Sequence, residues 1–257
     1  MTVVRDLEAY PYLFSDVLWL IGLLLVVRSL PLASHRRLLV RLGIVMIPNF
    51  LFSLAHHDYW NPVRVGGWAL GPEDVLFAFN VGTTGCLSAV LLYRHQLTVA
   101  GQPVPHIGRL LAVGVPAQCA FLVLLSMGRS SMASAILAQL MAVISLLLLR
   151  PDLWRFSAAG GIGFSLIYCG IVKTVFWIWP DFVSCWNSTP PWGLLLFGIP
   201  LGEMAWALSF GLFWPLFAGF VFDLRLSAGG QPSRTAAWTA SMSRAGEAPS
   251  RLRTPLA

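Results

Sequence analysis

The amino-acid sequence predicts an all-α integral membrane protein with about seven transmembrane helices. Of the 257 residues, 57% are apolar and 11% are charged, whereas soluble domains carry roughly 25% charged residues. Several apolar stretches reach the roughly 20 residues that a helix needs to cross a bilayer. Basic residues also collect in alternate loops, as they do in chains that cross the membrane repeatedly. Together these observations exclude a soluble globular domain.

Seven apolar segments are predicted to span the membrane. In chain order they are Tyr12–Leu30, Leu38–Ala55, Pro72–Tyr93, Gly108–Met127, Ser131–Leu149, Ser157–Trp179 and Trp192–Phe222. The last segment is longer than one crossing requires. Because proline favours the first turn of a helix, the part before Pro200 is expected to lie along the interface or to re-enter the membrane.

The arginines predict the orientation. The first, third and fifth loops and the C-terminal segment contain Arg28, Arg36, Arg37, Arg41, Arg94, Arg109, Arg150, Arg155, Arg225, Arg234, Arg244, Arg251 and Arg253. The opposite side has Arg5, Arg64 and Arg129. By the positive-inside rule, the N-terminus is outside and the C-terminus is cytoplasmic. The positive charge therefore indicates topology in a cytoplasmic membrane, most simply a bacterial one, and a bilayer partner instead of a nucleic acid.

The two halves of the chain share a pattern of residues. Residues 70–82 align without gaps on residues 199–211, which pairs Asp74 with Glu203, Phe77 with Trp206, Ala78 with Ala207 and Gly82 with Gly211. The preceding loops contain Trp60-Asn61 and Trp186-Asn187. Two parallel three-helix repeats are therefore predicted. The domains are 1–94 (first repeat), 95–130 (connector helix), 131–226 (second repeat) and 227–257, a disordered cytoplasmic tail.

Glu203 is the first candidate catalytic residue. A carboxyl group at membrane depth is costly and indicates a functional site. Apolar surroundings favour its neutral form, which makes it a candidate proton donor. Trp206, Phe210 and Trp214 follow at helical spacing, and their aromatic faces would bind a substrate and stabilise a developing cation. The alternative is that Glu203 pairs with a polar neighbour and the aromatic residues only pack.

Glu73 and Asp74 are the candidate acids of the first half. They begin the third span, and Phe77 and Asn80 follow on the same segment as candidate substrate-binding residues. Asn80 lies two helical turns beyond Glu73, so the two are predicted to share a face. The alternative is a solvated helix start, where carboxylates complement the helix dipole.

Lys173 is the single lysine of the chain and lies within the sixth predicted span. It is expected either to pair with Glu203 or Asp74, or to extend to the interface. No metal site is predicted, because the histidines lack ligand spacing and the four cysteines contain no CxxC pair. No phosphate or dinucleotide motif occurs either, so no cofactor is expected.

These residues resemble the membrane-embedded lycopene cyclase domain family of carotenoid biosynthesis, in its fused two-repeat form. In that family a proline, a hydrophobic residue and two acids open a helix in each half. Here Pro200-Leu201-Gly202-Glu203 matches the second copy except at Gly202, and Gly71-Pro72-Glu73-Asp74 keeps both acids with the proline displaced. The loop 59–64 is also similar to that of family members.

The resemblance implies an isomerase that cyclises a carotene end group without a redox change. Glu203, Glu73 and Asp74 would be its acid and base, and Trp206, Phe77 and Phe210 would line the cation path. Three other hypotheses stay open: a different isoprenoid modification such as hydration, a non-catalytic membrane subunit or pigment-binding protein, and a proton-coupled transporter. The acids concentrate toward one half of the membrane, which argues against a transporter.

Overall fold

Eight α-helices form most of the bundle in the computed structural model, which describes residues 10–100 and 102–227. They are α1 (Pro11–Ser29), α2 (Ala33–Met46), α3 (Pro72–Thr84), α4 (Leu87–Leu92), α5 (Ile107–Ser126), α6 (Ser131–Leu149), α7 (Trp154–Ile178) and α8 (Leu201–Val221). 3-10 helices cover Ile47–His56, Val65–Gly67, Pro151–Leu153 and Pro180–Cys185. The predicted tail lies outside the described residues except for Ser227.

Four short strands form two antiparallel pairs near the ends of the helices. They are β1 (Leu97–Thr98), β2 (Leu195–Leu196), β3 (Ile199–Pro200) and β4 (Arg225–Leu226). Strand β1 pairs with β4, and β2 pairs with β3. The first pair joins the loop after α4 to the segment after α8, and so links the two halves of the chain.

Seven segments within the described residues are long and apolar enough to cross a membrane. They are Pro11–Ser29, Ala33–His56, Pro72–Leu92, Ile107–Ser126, Ser131–Leu149, Pro151–Ile178 and Leu201–Val221. Each overlaps one of the predicted spans. The prediction of an all-α integral membrane protein with about seven helices is therefore confirmed.

The seventh span is shorter than predicted. The segment before Pro200 forms the β2–β3 hairpin, with Phe197 and Gly198 at its turn in the left-handed backbone region (φ 55° and 77°). Glycine adopts this conformation without steric cost, and the helix then begins at Leu201. The hairpin thus places Glu203 in the first turn of α8.

The second span changes helix type along its length. Helix α2 ends at Met46 and continues as the 3-10 helix Ile47–His56. Pro48 lies at the start of this segment and has no amide hydrogen for the α-helical ladder. A 3-10 helix of this length is unusual. It carries one wall of the cavity described below.

Helices α3 and α8 lie at the centre of the bundle. The spans that they form are 61% and 67% buried, against 11–33% for the other five. Glycines allow close approach to their neighbours. A Cβ at Gly82 of α3 would lie 3.1 Å from Gly43 Cα of α2, and a Cβ at Gly211 of α8 would lie 3.0 Å from Gly161 Cα of α7. The candidate acids are therefore on the two most enclosed helices.

The two Trp-Asn loops contact each other reciprocally. The Asn61 amide donates to the Cys185 carbonyl at 2.9 Å, and the Asn187 amide donates to the Tyr59 carbonyl at 2.8 Å. Trp60 and Trp186 form an antiparallel bridge between them. The glycine contacts of α2–α3 and α7–α8 are likewise similar in the two halves; the repeat itself stays a prediction. The parallel arrangement and the orientation remain predictions.

Candidate active site

A cavity of about 560 Å³ connects the two acid-bearing helices. Asp74 and Glu203 both line it, beside the Trp60–Trp186 bridge. From Glu203 the cavity follows α8 as far as Phe217, a helical distance of about 21 Å. The 3-10 helix Ile47–His56 and helices α5 and α6 form the remaining walls. Its lining is mainly apolar and aromatic, so a long apolar molecule fits its shape and chemistry.

Glu203 is held by two uncharged donors. The Tyr168 hydroxyl of α7 donates to Oε2, and the Trp186 indole donates to Oε1 at 2.8 Å. The side chain is buried, and none of the ion pairs found among the described residues includes it. Glu203 is therefore anchored in place without a counter-charge.

Asp74 is held by a cation. Both its side chain and that of Arg64 are buried, and the Arg64 guanidinium donates to Oδ2 at 2.8 Å and to Oδ1 at 3.1 Å. The Gly71 amide donates to Oδ2 at 2.8 Å, and the Tyr12 hydroxyl donates to Oδ1 at 3.3 Å. The two-point contact balances the carboxylate charge and fixes its orientation. Asp74 thus differs from Glu203 in its charge environment.

Aromatic rings form a continuous stack beside the acids. Phe77 of α3 stacks on Trp206 of α8 at 6.3 Å, so the two aligned residues touch across the cavity. Along α8, Trp206 stacks on Phe210 at 5.3 Å, Phe210 on Trp214 at 5.4 Å, and Trp214 on Phe217 at 4.7 Å. Ring faces stabilise a nearby cation, most strongly where water is absent.

Two predicted site residues lie away from the cavity lining. Glu73 is fully buried, and its Oε1 accepts from the Val65 amide at 2.8 Å. Asn80 is also fully buried and donates to the backbone carbonyl of Asp16 at 2.9 Å. Neither contributes to the cavity wall. Glu73 and Asn80 instead hydrogen-bond α3 to neighbouring segments. The cavity therefore brings together Asp74, Glu203 and the aromatic residues, without Glu73 and Asn80.

Of the two alternatives for Lys173, the structure shows extension of the side chain and no pairing with Glu203 or Asp74. The Lys173 ammonium donates to the Phe197 carbonyl at the β2–β3 turn, at 2.9 Å. Its long side chain reaches the end of the bundle, where a charge is hydrated at lower cost than in the interior. The buried cation beside Asp74 is Arg64, which the sequence indicated as a topology residue and as part of the loop 59–64.

Several site residues were not found from the sequence. Tyr168 and Trp186 hold Glu203, and Arg64 and Tyr12 hold Asp74. The repeated Trp-Asn pair pointed to Trp186, but no sequence pattern marks Tyr12 or Tyr168 as site residues. Asp16 of α1 is also buried, with 2% of its surface exposed. Its position inside a membrane span was itself a sufficient signal.

Gly202 lies against the ring of Tyr59. A Cβ at Gly202 would lie 2.5 Å from the Tyr59 oxygen and 2.8 Å from Cζ, which is closer than a Cβ atom approaches non-bonded atoms in a close-packed interior. Tyr59 is 5% exposed, and its hydroxyl has no partner of standard hydrogen-bond geometry among the described residues. Burial, and then the nearby Glu203 carboxyl, raises the pKa of Tyr59. The phenol therefore keeps its proton.

Fold and site together define a polytopic membrane protein with two carboxyl groups in one aromatic-lined apolar cavity. Residues 130–221 match the protein-family model described as lycopene cyclase. The resemblance to the lycopene cyclase domain family is thus confirmed over helices α6, α7 and α8, the part of the chain that contains Glu203, and it supports a cyclase-like carotenoid function. No curated protein and no solved structure matches the chain.

Proposed function

We propose that this chain is an intramembrane enzyme that cyclises the end group of an acyclic carotenoid without a net redox change. The observation that carries the proposal is the pair of acids on one elongated cavity: one has uncharged partners and the other is ion-paired. A linear isoprenoid would lie along α8, with its terminal double bonds beside the acids. No cofactor is required by this chemistry.

Glu203 acts as the acid in this mechanism. Its O–H bond breaks while a C–H bond forms at the terminal double bond, and the adjacent carbon becomes a tertiary cation. A second double bond then attacks the cation, which closes the ring and moves the positive charge onto a ring carbon. Of the two acids, Glu203 is the one that lacks a counter-charge, so it holds a proton at lower electrostatic cost.

Asp74 acts as the base. It removes a proton from a carbon next to the ring cation, and the C–H electron pair forms the ring double bond. Arg64 pairs with this carboxylate and orients it, and the stacked rings of Phe77 and Trp206 line the same cavity as both acids. The mainly apolar lining disfavours water beside the cation, which favours ring closure over hydration.

We also propose the topology and the site of action. The alternating arginines support an N-outside, C-cytoplasmic chain in a bacterial cytoplasmic membrane, and the reciprocal Trp-Asn loops support two parallel three-helix repeats. Under this arrangement both acids lie in the outer half of the bilayer. Their substrate reaches them from the lipid phase.

Expression in cells that accumulate lycopene tests the proposal. Pigment analysis should show cyclic products with the wild-type chain and at least about a hundredfold less with Glu203→Gln, since general acid catalysis contributes 10²–10⁴-fold. Glu73→Gln is the matched control: this acid is as buried but lies off the cavity wall, so rings should still form. Unchanged lycopene with a well-expressed wild-type chain contradicts cyclisation, and lycopene that copurifies unchanged supports the non-catalytic pigment-binding alternative.

A further inference from the structure

Gly202 and Tyr59 pack against each other beside Glu203, at the end of the cavity where the proposed proton donor lies. A side chain of any size at residue 202 would occupy the space of the Tyr59 phenol. The glycine therefore allows the hydroxyl to reach the start of α8 beside Glu203. The phenol comes from the loop after the second span.

Among the donors around Glu203, the Tyr59 hydroxyl is the one without a hydrogen bond of standard geometry among the described residues. Tyr168 and Trp186 already donate to the two oxygens of Glu203. Tyr59 lies in the same cavity wall and is buried. Its hydroxyl is near the Glu203 carboxyl but makes no hydrogen bond of standard geometry with any described residue. Leaving a buried hydroxyl unpaired costs stability, so such a group calls for an explanation. Its own proton is retained, because burial raises the pKa of the phenol.

We propose that Tyr59 is a reserve hydrogen-bond donor for the carboxylate that forms when Glu203 gives up its proton. This inference rests on the proposed function. As the Glu203 O–H bond breaks, its electron pair stays on the carboxylate, and the Tyr59 O–H group turns to donate to it without losing its own proton. An interaction made only as charge develops accelerates the step, and a donor already positioned for that charge is effective in an apolar site.

Tyr59→Phe tests this role because it removes the hydroxyl and keeps the ring that fills the space beside Gly202. In proteoliposomes we expect kcat for ring formation to fall about a hundredfold while KM changes little. The thermal unfolding midpoint should stay the same or rise, because an unpaired buried group is lost. Tyr168→Phe is the matched control: it removes a donor that is bonded in the resting state, so both kcat and the unfolding midpoint should fall.

Two results, one kinetic and one of thermal stability, would overturn the inference. One is a full kcat for Tyr59→Phe. The other is a fall in the unfolding midpoint of Tyr59→Phe as large as that of Tyr168→Phe, which would make the Tyr59 hydroxyl a structural group like that of Tyr168. Either result leaves the cyclase proposal intact, since wild-type ring formation is measured separately.

Infrared difference spectra test Tyr59 even if the wild-type chain forms no rings. With ring-labelled tyrosine, a pH change that ionises Glu203 should shift a tyrosine C–O band in the wild-type protein. That shift should be missing in Tyr59→Phe and in Glu203→Gln. An identical set of shifts in wild type and Tyr59→Phe would overturn the inference, whatever the outcome for cyclisation.

Discussion

The two halves of the cavity hold aligned carboxyl groups by opposite means. On α3, Asp74 has a guanidinium, a backbone amide and a phenol as partners. On α8, Glu203 has a phenol and an indole. Residues at matching positions of a repeat pattern thus have different charge environments. Under the proposed function, this difference in partners suits Asp74 to the role of base and Glu203 to the role of acid.

The largest expected loss of stability comes from breaking the Arg64–Asp74 ion pair of the first half. Arg64→Met leaves Asp74 buried without its cation, and loss of one partner of a buried pair costs about 3–5 kcal/mol of stability. Thermal or denaturant unfolding in detergent measures this loss. The double variant Arg64→Met/Asp74→Leu removes both charges and should recover most of it. Failure to recover would mean that packing around Arg64, and not its charge, stabilises this half.

The aromatic contact between the halves should have an intermediate effect. Phe77→Leu keeps apolar volume but removes the ring that stacks on Trp206. Loss of a desolvated cation–π interaction of about 2 kcal/mol corresponds to roughly thirtyfold in the rate of ring formation. Phe77→Tyr retains the ring face and should keep most activity. Equal rates for the leucine and tyrosine variants would exclude Phe77 from cation stabilisation.

The smallest expected effect on stability comes from an ion pair at the surface. It provides a comparison for the buried Arg64–Asp74 pair. Asp223 accepts from Arg109 at 3.2 Å, and both side chains are about 40% exposed. Hydrogen bonding from Arg109, with further help from Arg225, lowers the pKa of Asp223. A lowered carboxyl pKa contributes stability at neutral pH, and this contribution is lost as the pH falls through the folded-state value.

Asp223→Asn should therefore cost at most about 1 kcal/mol at pH 7. The difference from wild type should disappear on acidification below the ordinary aspartate range, and high salt should reduce it. Unfolding midpoints at neutral and acid pH measure both trends. A loss as large as that of Arg64→Met would contradict the distinction between buried and exposed pairs.

The membrane class and the central acids were accessible from the sequence because they depend on local composition. Glu203 stands out from the apolar run around it, and its alignment with Asp74 indicated a shared site. The hairpin before α8 was missed, since the apolar residues 194–197 have the hydropathy of a helix. The left-handed turn at Phe197 and Gly198 ends that pattern, and hydropathy does not report backbone conformation.

The choice of partners for each acid was decided only by the tertiary structure. Lys173 is in the interior by sequence position, yet its ammonium reaches the Phe197 carbonyl, because a flexible side chain extends toward hydration. Arg64 lies in the loop between the second and third spans, yet its side chain is 3% exposed beside Asp74. Which cation is buried depends on how loops fold over the helix ends.

The sequence by itself determined that this chain crosses a membrane about seven times and carries acids at the start of two of its helices. Apolar composition and the cost of a charge in lipid are sufficient for that conclusion. The tertiary structure alone decided that Asp74 is ion-paired, that Glu203 is not, and that a phenol from a distant loop fills the space at Gly202. These contacts join residues far apart in the chain, and their geometry arises only when the helices pack.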